Sequence, residues 1–171
     1  MKKLVLLSLL VLVAAACASM GSRPSAVATL APTSGQTAAG TVRLTQMADG
    51  GVEVQADLTG VPAGNHGFHI HEKGDCGDNG NAAGGHFNPT AMAHGAPEAM
   101  PHHAGDWGNV TADTSGRVST KFTTHSITVE AGANSAVGHA IILHGNPDDL
   151  TTQPSGNAGP RIACGVVTLN P

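Results

Sequence analysis

The sequence predicts an all-β fold, an antiparallel β-sandwich or flattened barrel whose chemistry is held on two long loops outside the sheets. Two observations predict it. The chain has 171 residues, 23 of them Gly and 10 Pro, and is otherwise rich in Val, Thr and Ala, which is the composition of turn-rich β proteins and the length of one domain. Its apolar residues also fall in short runs at period two, bounded by Gly, Pro, Asn and Asp, and no stretch keeps a helical period over a convincing length. With three Phe, one Trp and no Tyr, the core is built from Val, Ile, Leu and Ala, which bury modest area per residue, so a covalent or metal staple would add needed stability.

From the N-terminus, residues 1–17 have the form of an export signal: Lys2 and Lys3, then the apolar run Leu4 to Val13, then Ala14-Ala15-Ala16. The run is too short to cross a bilayer comfortably as a helix. Cys17, directly after the small residues, matches a bacterial lipoprotein signal in which this cysteine becomes the lipidated first residue, although Leu is more usual than Ala14 at its position. Residues 18–25 are small and polar and are expected to be a flexible tether, with the folded domain over 26–171. Strands are expected at Ala26 to Ala31, Thr41 to Met47, Val52 to Leu58, Gly67 to His71, Arg117 to Thr124, Ile127 to Val129, Ala140 to His144 and Ala163 to Leu169. Asp49-Gly50-Gly51 turns the second of these into the third, and Val52, Val54, Ala56 and Leu58 alternate as a half-buried hairpin strand should. The stretches Glu72 to Asp113 and Gly145 to Arg161 are left as long loops, and long ordered loops on a β scaffold tend to be functional.

Removal of the signal leaves six Lys and Arg against twelve Asp and Glu, a formal charge of −6, and no basic patch suggests a nucleic-acid partner. Besides Cys17 the cysteines are Cys76 and Cys164. An exported pair in an oxidising compartment is most simply a disulfide; two buried free thiols are the weaker alternative.

Ten histidines are present, and six stand at spacings that metal coordination uses: His69, His71, His86, His94, His103 and His144. Asp106 follows His103 by three residues. These are more ligands than one ion holds, so two neighbouring metals are the economical expectation. In a strand, residues two apart face the same side about 6.5–7 Å apart, so His69 and His71 can reach one ion while Phe68 and Ile70 enter the core. His144, at the end of another strand, supplies a third imidazole, and several neutral imidazoles favour redox-active Cu(II). His86, His94, His103 and Asp106 make a closed four-ligand set suited to structural zinc.

The segments GFHIHEKGDC, AGGHFNP, HHAGDWGNVTAD and GNAGPRIACG closely resemble the copper/zinc superoxide dismutase family, in the family's order, from about Thr41 to Val167. The resemblance implies a Greek-key β-sandwich or flattened barrel and dismutation of superoxide to oxygen and hydrogen peroxide. It implies copper at His69, His71, His86 and His144, and zinc at His86, His94, His103 and Asp106. His86 would bridge the metals as imidazolate and carry a proton to the forming peroxide. It makes Asp148 the carboxylate linking His69 to His94, which fixes tautomer and ring orientation, and Arg161 the guanidinium that attracts and orients the anion beside copper. Asp149 is expected only to cap its turn, and Trp107 to pack under the zinc loop. His66 is expected to be a packed, hydrogen-bonded residue; His102, His125 and His139 have no metal role.

No Lys or Arg lies between His144 and Arg161, where eukaryotic relatives carry lysines, so attraction of the anion rests on Arg161 with Lys73 as a second source. An exported copper/zinc-binding or copper-delivery module without activity, and a zinc-only structural domain, are the rival expectations; the four copper positions and Arg161 argue against both. A single chain leaves monomer and homodimer both open.

Overall fold

A computed structural model describes residues 22–170. The expected export signal, the expected lipidation site Cys17 and half of the expected tether, residues 18–21, lie outside the described residues. Nine strands form one antiparallel sheet nearly closed into a barrel: β1 Ser25–Pro32, β2 Ala39–Gln46, β3 Val52–Thr59, β4 Gly64–His71, β5 Asp106–Ala112, β6 Val118–Thr124, β7 Ala140–His144, β8 Arg161–Val166 and β9 Thr168–Leu169. The spatial order is β5-β4-β7-β8-β1-β2-β3-β6, with β9 beside β1. The connections from β3 to β4 and from β6 to β7 skip strands, as Greek-key connections do. A turn at Asp113, whose carboxylate accepts from Ser115 and from the Arg117 amide, joins β5 to β6. These two strands end the sheet without pairing along their length, and the seam between them is filled by Trp107 against Phe122, ring centroids 5.6 Å apart.

The hairpin β2–β3 pairs from Ala39 with Thr59 to Gln46 with Val52, and alternation buries Val52, Val54, Ala56 and Leu58 as the sequence requires. The core gathers these with Leu30, Val42, Leu44, Phe68, Ile70, Ile141 and Leu143. β7 is buried on both faces: Ile141 and Leu143 enter the barrel, while Ala140 and Ile142 meet Ala83 and Cys164 beneath the loop. Cys76 and Cys164 form a disulfide with Cα atoms 5.7 Å apart, closing a separation of 88 positions. In the chain-entropy account such a bridge contributes about 4 to 5 kcal/mol, chiefly by restricting the unfolded chain.

Most expected strands are found with ends shifted by one to three residues, β2 to Ala39–Gln46 and β4 to a start at Gly64 among them; other differences are larger or touch the domain boundary. β5 occupies Asp106–Ala112 inside what the sequence left as loop, because Asp106, Gly108 and Asn109 hide a strand from propensity reasoning. Ile127 to Val129 forms no strand: Ile127 and Val129 enter the core, and the segment makes only the isolated bridge Thr128–Ser135. The last strand starts earlier, at Arg161, and is split into β8 and β9. β1 begins one residue inside the expected tether, at Ser25. The only helical structure among the described residues is a short turn over Asp78–Ala83, broken at Asn79 and Gly80.

Candidate metal centre

The histidines sit on the outer face of the β4-β7-β8 part of the sheet, under the two long loops. His69 and His71 alternate with Phe68 and Ile70 on β4, so the apolar pair enters the core and the imidazoles point the other way. The loop then returns along β4: Phe87 N donates to Ile70 O at 2.8 Å, Ile70 N to Gly105 O at 3.0 Å, and Gly105 N to Phe87 O at 2.9 Å. This three-way lacing sets His86 beside His71 and delivers His103 and Asp106 to the same place. His144 ends β7, where the register with β8 shifts opposite Arg161.

Two buried groups result, each with ligand atoms all within 4.8 Å of one another: His69, His71, His86 and His144; and His86, His94, His103 and Asp106. Every ligand position named from the sequence falls in one or both, and His86 belongs to each. The nitrogens are sorted by their outer hydrogen bonds. His71 Nδ1 donates to Gly84 O at 2.9 Å and His144 Nδ1 to Gly159 O at 3.2 Å, leaving their Nε2 lone pairs facing each other 3.3 Å apart. His69 Nε2 donates to Asp148 Oδ2 at 2.8 Å, so its inward atom is Nδ1.

In the second group one carboxylate oxygen is the hub. Asp106 Oδ2 accepts the backbone N–H groups of His103 at 2.8 Å and Gly95 at 3.1 Å, which turns Oδ1 toward the rings. His86 Nδ1 is 2.7 Å from that Oδ1 and His103 Nδ1 3.1 Å. His94 Nδ1 lies 3.1 Å from it without making a hydrogen bond, while His94 Nε2 donates to Asp148 Oδ1 at 3.0 Å. Asp148 therefore links His69 to His94. Its backbone is pinned by Asn109, whose Oδ1 accepts from Asp148 N at 2.7 Å and whose Nδ2 donates to Asp148 O at 2.9 Å.

Three ring nitrogens, His69 Nδ1, His86 Nε2 and His94 Nδ1, are buried without a hydrogen-bond partner. Orphaned buried acceptors are costly in a finished fold, and here all three are the inward atoms of the two groups. The donor set thus fits cations at both places, a nitrogen-only one at the first and a mixed nitrogen and oxygen one at the second.

Charge follows the same division. Burial holds His69 at about 4 and His144 at about 3, and pushes His71 well below the usual imidazole range. These rings are neutral and ready to ligate at neutral pH. Burial acts on His94 in the same direction, but the carboxylates of Asp106 and Asp148 outweigh it and raise this imidazole to about 9. Both carboxylates are held below their ordinary range despite burial, Asp106 by His86 and His94 and Asp148 by His69 and His94. The second place favours positive charge.

The first group opens on a cavity of about 540 Å³ lined by His71, His86, His144, Asn81, Asn157 and Arg161, and also by His103 of the second group. The Arg161 guanidinium donates to Gly80 O and, at 2.6 Å, to Gly84 O on the loop that the disulfide ties to β8. A larger cavity, about 690 Å³, lies at the β5–β6 seam around Trp107 and Phe122 and is lined by none of the ligand candidates. His66 spans Pro62 O and His144 O at 2.7 and 2.9 Å, and Asp149 caps its turn through Thr151 and Thr152. His102, His125 and His139 belong to neither group.

Two residues of the site escaped sequence reasoning. Gly156 has φ +66°, and a Cβ there would stand 1.7 Å from Asp148 Oδ1 and 2.7 Å from His94 Nε2, so only glycine lets these two meet. Gln153 bonds the backbone of His94. The signal for Gly156 lay inside the GNAGPRIACG segment; Gln153 had none.

Residues 38–167 match the family model described as copper/zinc superoxide dismutase (SODC). A solved structure described as that of the clock protein EA4 is similar with a TM-score of 0.79 and 37% identity, over 86% of this chain and 96% of that one. With the family match running through β2 to β8, and through both buried groups with Arg161, the chain belongs to the copper/zinc superoxide dismutase family.

Proposed function

We propose that this protein dismutates superoxide to molecular oxygen and hydrogen peroxide, with copper held by His69, His71, His86 and His144 and zinc by His86, His94, His103 and Asp106. One observation carries the reading: two buried ligand groups share His86, and the nitrogen-only one faces a cavity that Arg161 lines. Copper when bound supplies the one-electron redox cycle that oxidises one superoxide and reduces the next.

The chain's own residues do the rest. Arg161, fixed by two backbone carbonyls, keeps its charge at the cavity and binds the anion by hydrogen bonds. Burial lowers its proton affinity, yet a guanidinium stays cationic at any working pH. His86 is among the residues that line the cavity, and its buried, partnerless Nε2 is the atom from which a proton reaches reduced substrate; Asp106 at Nδ1 holds the ring in place. Asp148 fixes His69 and His94 so that each presents Nδ1 inward.

The disulfide fits an extracytoplasmic protein. The export signal and Cys17 further suggest a lipid-anchored bacterial cell-envelope or periplasmic enzyme that removes superoxide there. A copper/zinc-binding module without activity is the second reading, favoured by a 37% identical neighbour described as a clock protein. Metal analysis with a superoxide assay separates them. The purified mature domain should hold about one copper and one zinc per chain, as two distinct sites require, and consume superoxide. Copper-loaded protein without activity would favour the module.

A further inference from the structure

We infer that Gln153 is a positioning residue for the second ligand group, its side-chain amide clamping the backbone of His94 and so coupling zinc retention to the wall of the neighbouring substrate cavity. This rests on the assignment of zinc to His86, His94, His103 and Asp106. Gln153 Oε1 accepts the His94 backbone N–H at 2.9 Å, and its Nε2 donates to the His94 carbonyl at 2.8 Å. A primary amide that meets both polar groups of one residue acts as a strand partner would, on a residue that has no strand.

His94 needs such a partner. Residues 88–101 contain no strand, and among the described residues their backbone hydrogen bonds to the rest of the protein run only to Gln153 and to Asp106. The ring of His94 is gripped from the same short loop, by Asp148 at 3.0 Å. Three of its four polar groups are thus fixed by the 148–153 stretch, which leaves Nδ1 as the free ligand atom. Pro154, Ser155 and Asn157, directly after Gln153, line the cavity that faces the first group. One short loop therefore holds a zinc ligand from one side and forms the wall of the substrate cavity on the other.

The test uses the zinc-loaded, disulfide-bonded full-length mature domain. Hydrogen exchange of the His94 amide is read by NMR, zinc release by excess chelator, and site geometry by the visible spectrum with cobalt(II) in place of zinc. Loss of both bonds in Gln153→Ala should speed His94 exchange and zinc release roughly tenfold and shift the cobalt bands, with copper content unchanged. Gln153→Glu keeps the acceptor and loses the donor, so the His94 amide should stay protected while zinc release falls between wild type and Gln153→Ala. Exchange and release within twofold of wild type in Gln153→Ala would overturn the inference. A wild-type domain that takes up no zinc would instead overturn the metal assignment beneath it, whatever the variants do.

Discussion

The two ligand groups share a histidine and lie side by side, yet they are built on opposite electrostatic plans. In the first, His69, His71 and His144 are buried and neutral; His71 and His144 are oriented by backbone carbonyls and His69 by Asp148. Its charge balance depends on what binds, and it opens to a cavity with one guanidinium. In the second, a carboxylate oxygen is aimed inward by two backbone amides, a second carboxylate stands behind His94, and the imidazole between them is drawn toward protonation. The lesson is that a neutral nitrogen cage suits an ion whose charge must change, whereas a site with built-in negative charge suits an ion whose charge never does.

The largest effect that could break this contrast is selective metal loss. His144→Ala should abolish most copper binding and activity while zinc content stays near normal, measured by elemental analysis and superoxide consumption; equal loss of both metals would contradict the division. Asp106→Ala comes next. It removes the hub of the second group and should weaken zinc binding at least tenfold, lower the melting temperature and loosen the loop from Glu72 to Gly105, read by chelator competition and calorimetry.

Arg161 sharpens the contrast from the cavity side, because a cation gains nothing from a neighbouring guanidinium. Arg161→Lys should keep most activity, Arg161→Ala should lose roughly tenfold, and Arg161→Glu more, all with near-normal copper content. The differences should shrink as salt is added; three variants as active as wild type at low ionic strength would remove its anion-guiding role.

The smallest effect is in the pH dependence of the metal-free protein. His69 and His144 have folded values of about 4 and 3, below the ordinary 6.5, so their contribution is complete above about 6.5 and is lost as pH falls through those values. His94 has the opposite sign: raised to about 9, it stabilises fully below 6.5 and loses that contribution as pH rises through 9. Thermal melts from pH 4 to 10 should show both flanks, the acid one from His69 and His144 with His103, which burial also lowers, and the alkaline one from His94. Zinc should flatten the alkaline flank, since the ion replaces the proton on His94. An unchanged alkaline flank with zinc bound would take His94 out of the site.

Legibility tracked distance along the chain. The β2–β3 hairpin and the face shared by His69 and His71 are local consequences of period-two alternation, and both could be written down from a few residues. The division of the remaining ligands came from separated motifs in a familiar order, because no local rule says that His86 and His144 meet. β5 was hidden by Asp106, Gly108 and Asn109, which are poor strand formers placed there for the site and its turn. Ile127 and Val129 misled in the other direction: β-branched residues that fill the core look the same in sequence whether or not a neighbouring strand exists to pair with. Gln153 was invisible because it is defined by a partner 59 positions away, at His94, and Gly156, although inside a recognised segment, takes its role only from the meeting of Asp148 with His94.

The seam between β5 and β6 also gives the molecule an optical handle. Trp107 is the single tryptophan in a chain without tyrosine, and it directly follows Asp106 while stacking near Phe68 and Phe122. Ultraviolet emission excited at the indole band therefore comes from one address, next to a ligand of the second group and far along the chain from most of the first. Titrating the metal-free domain with zinc while following that emission reports on a single residue, with no background to subtract from any other indole or phenol.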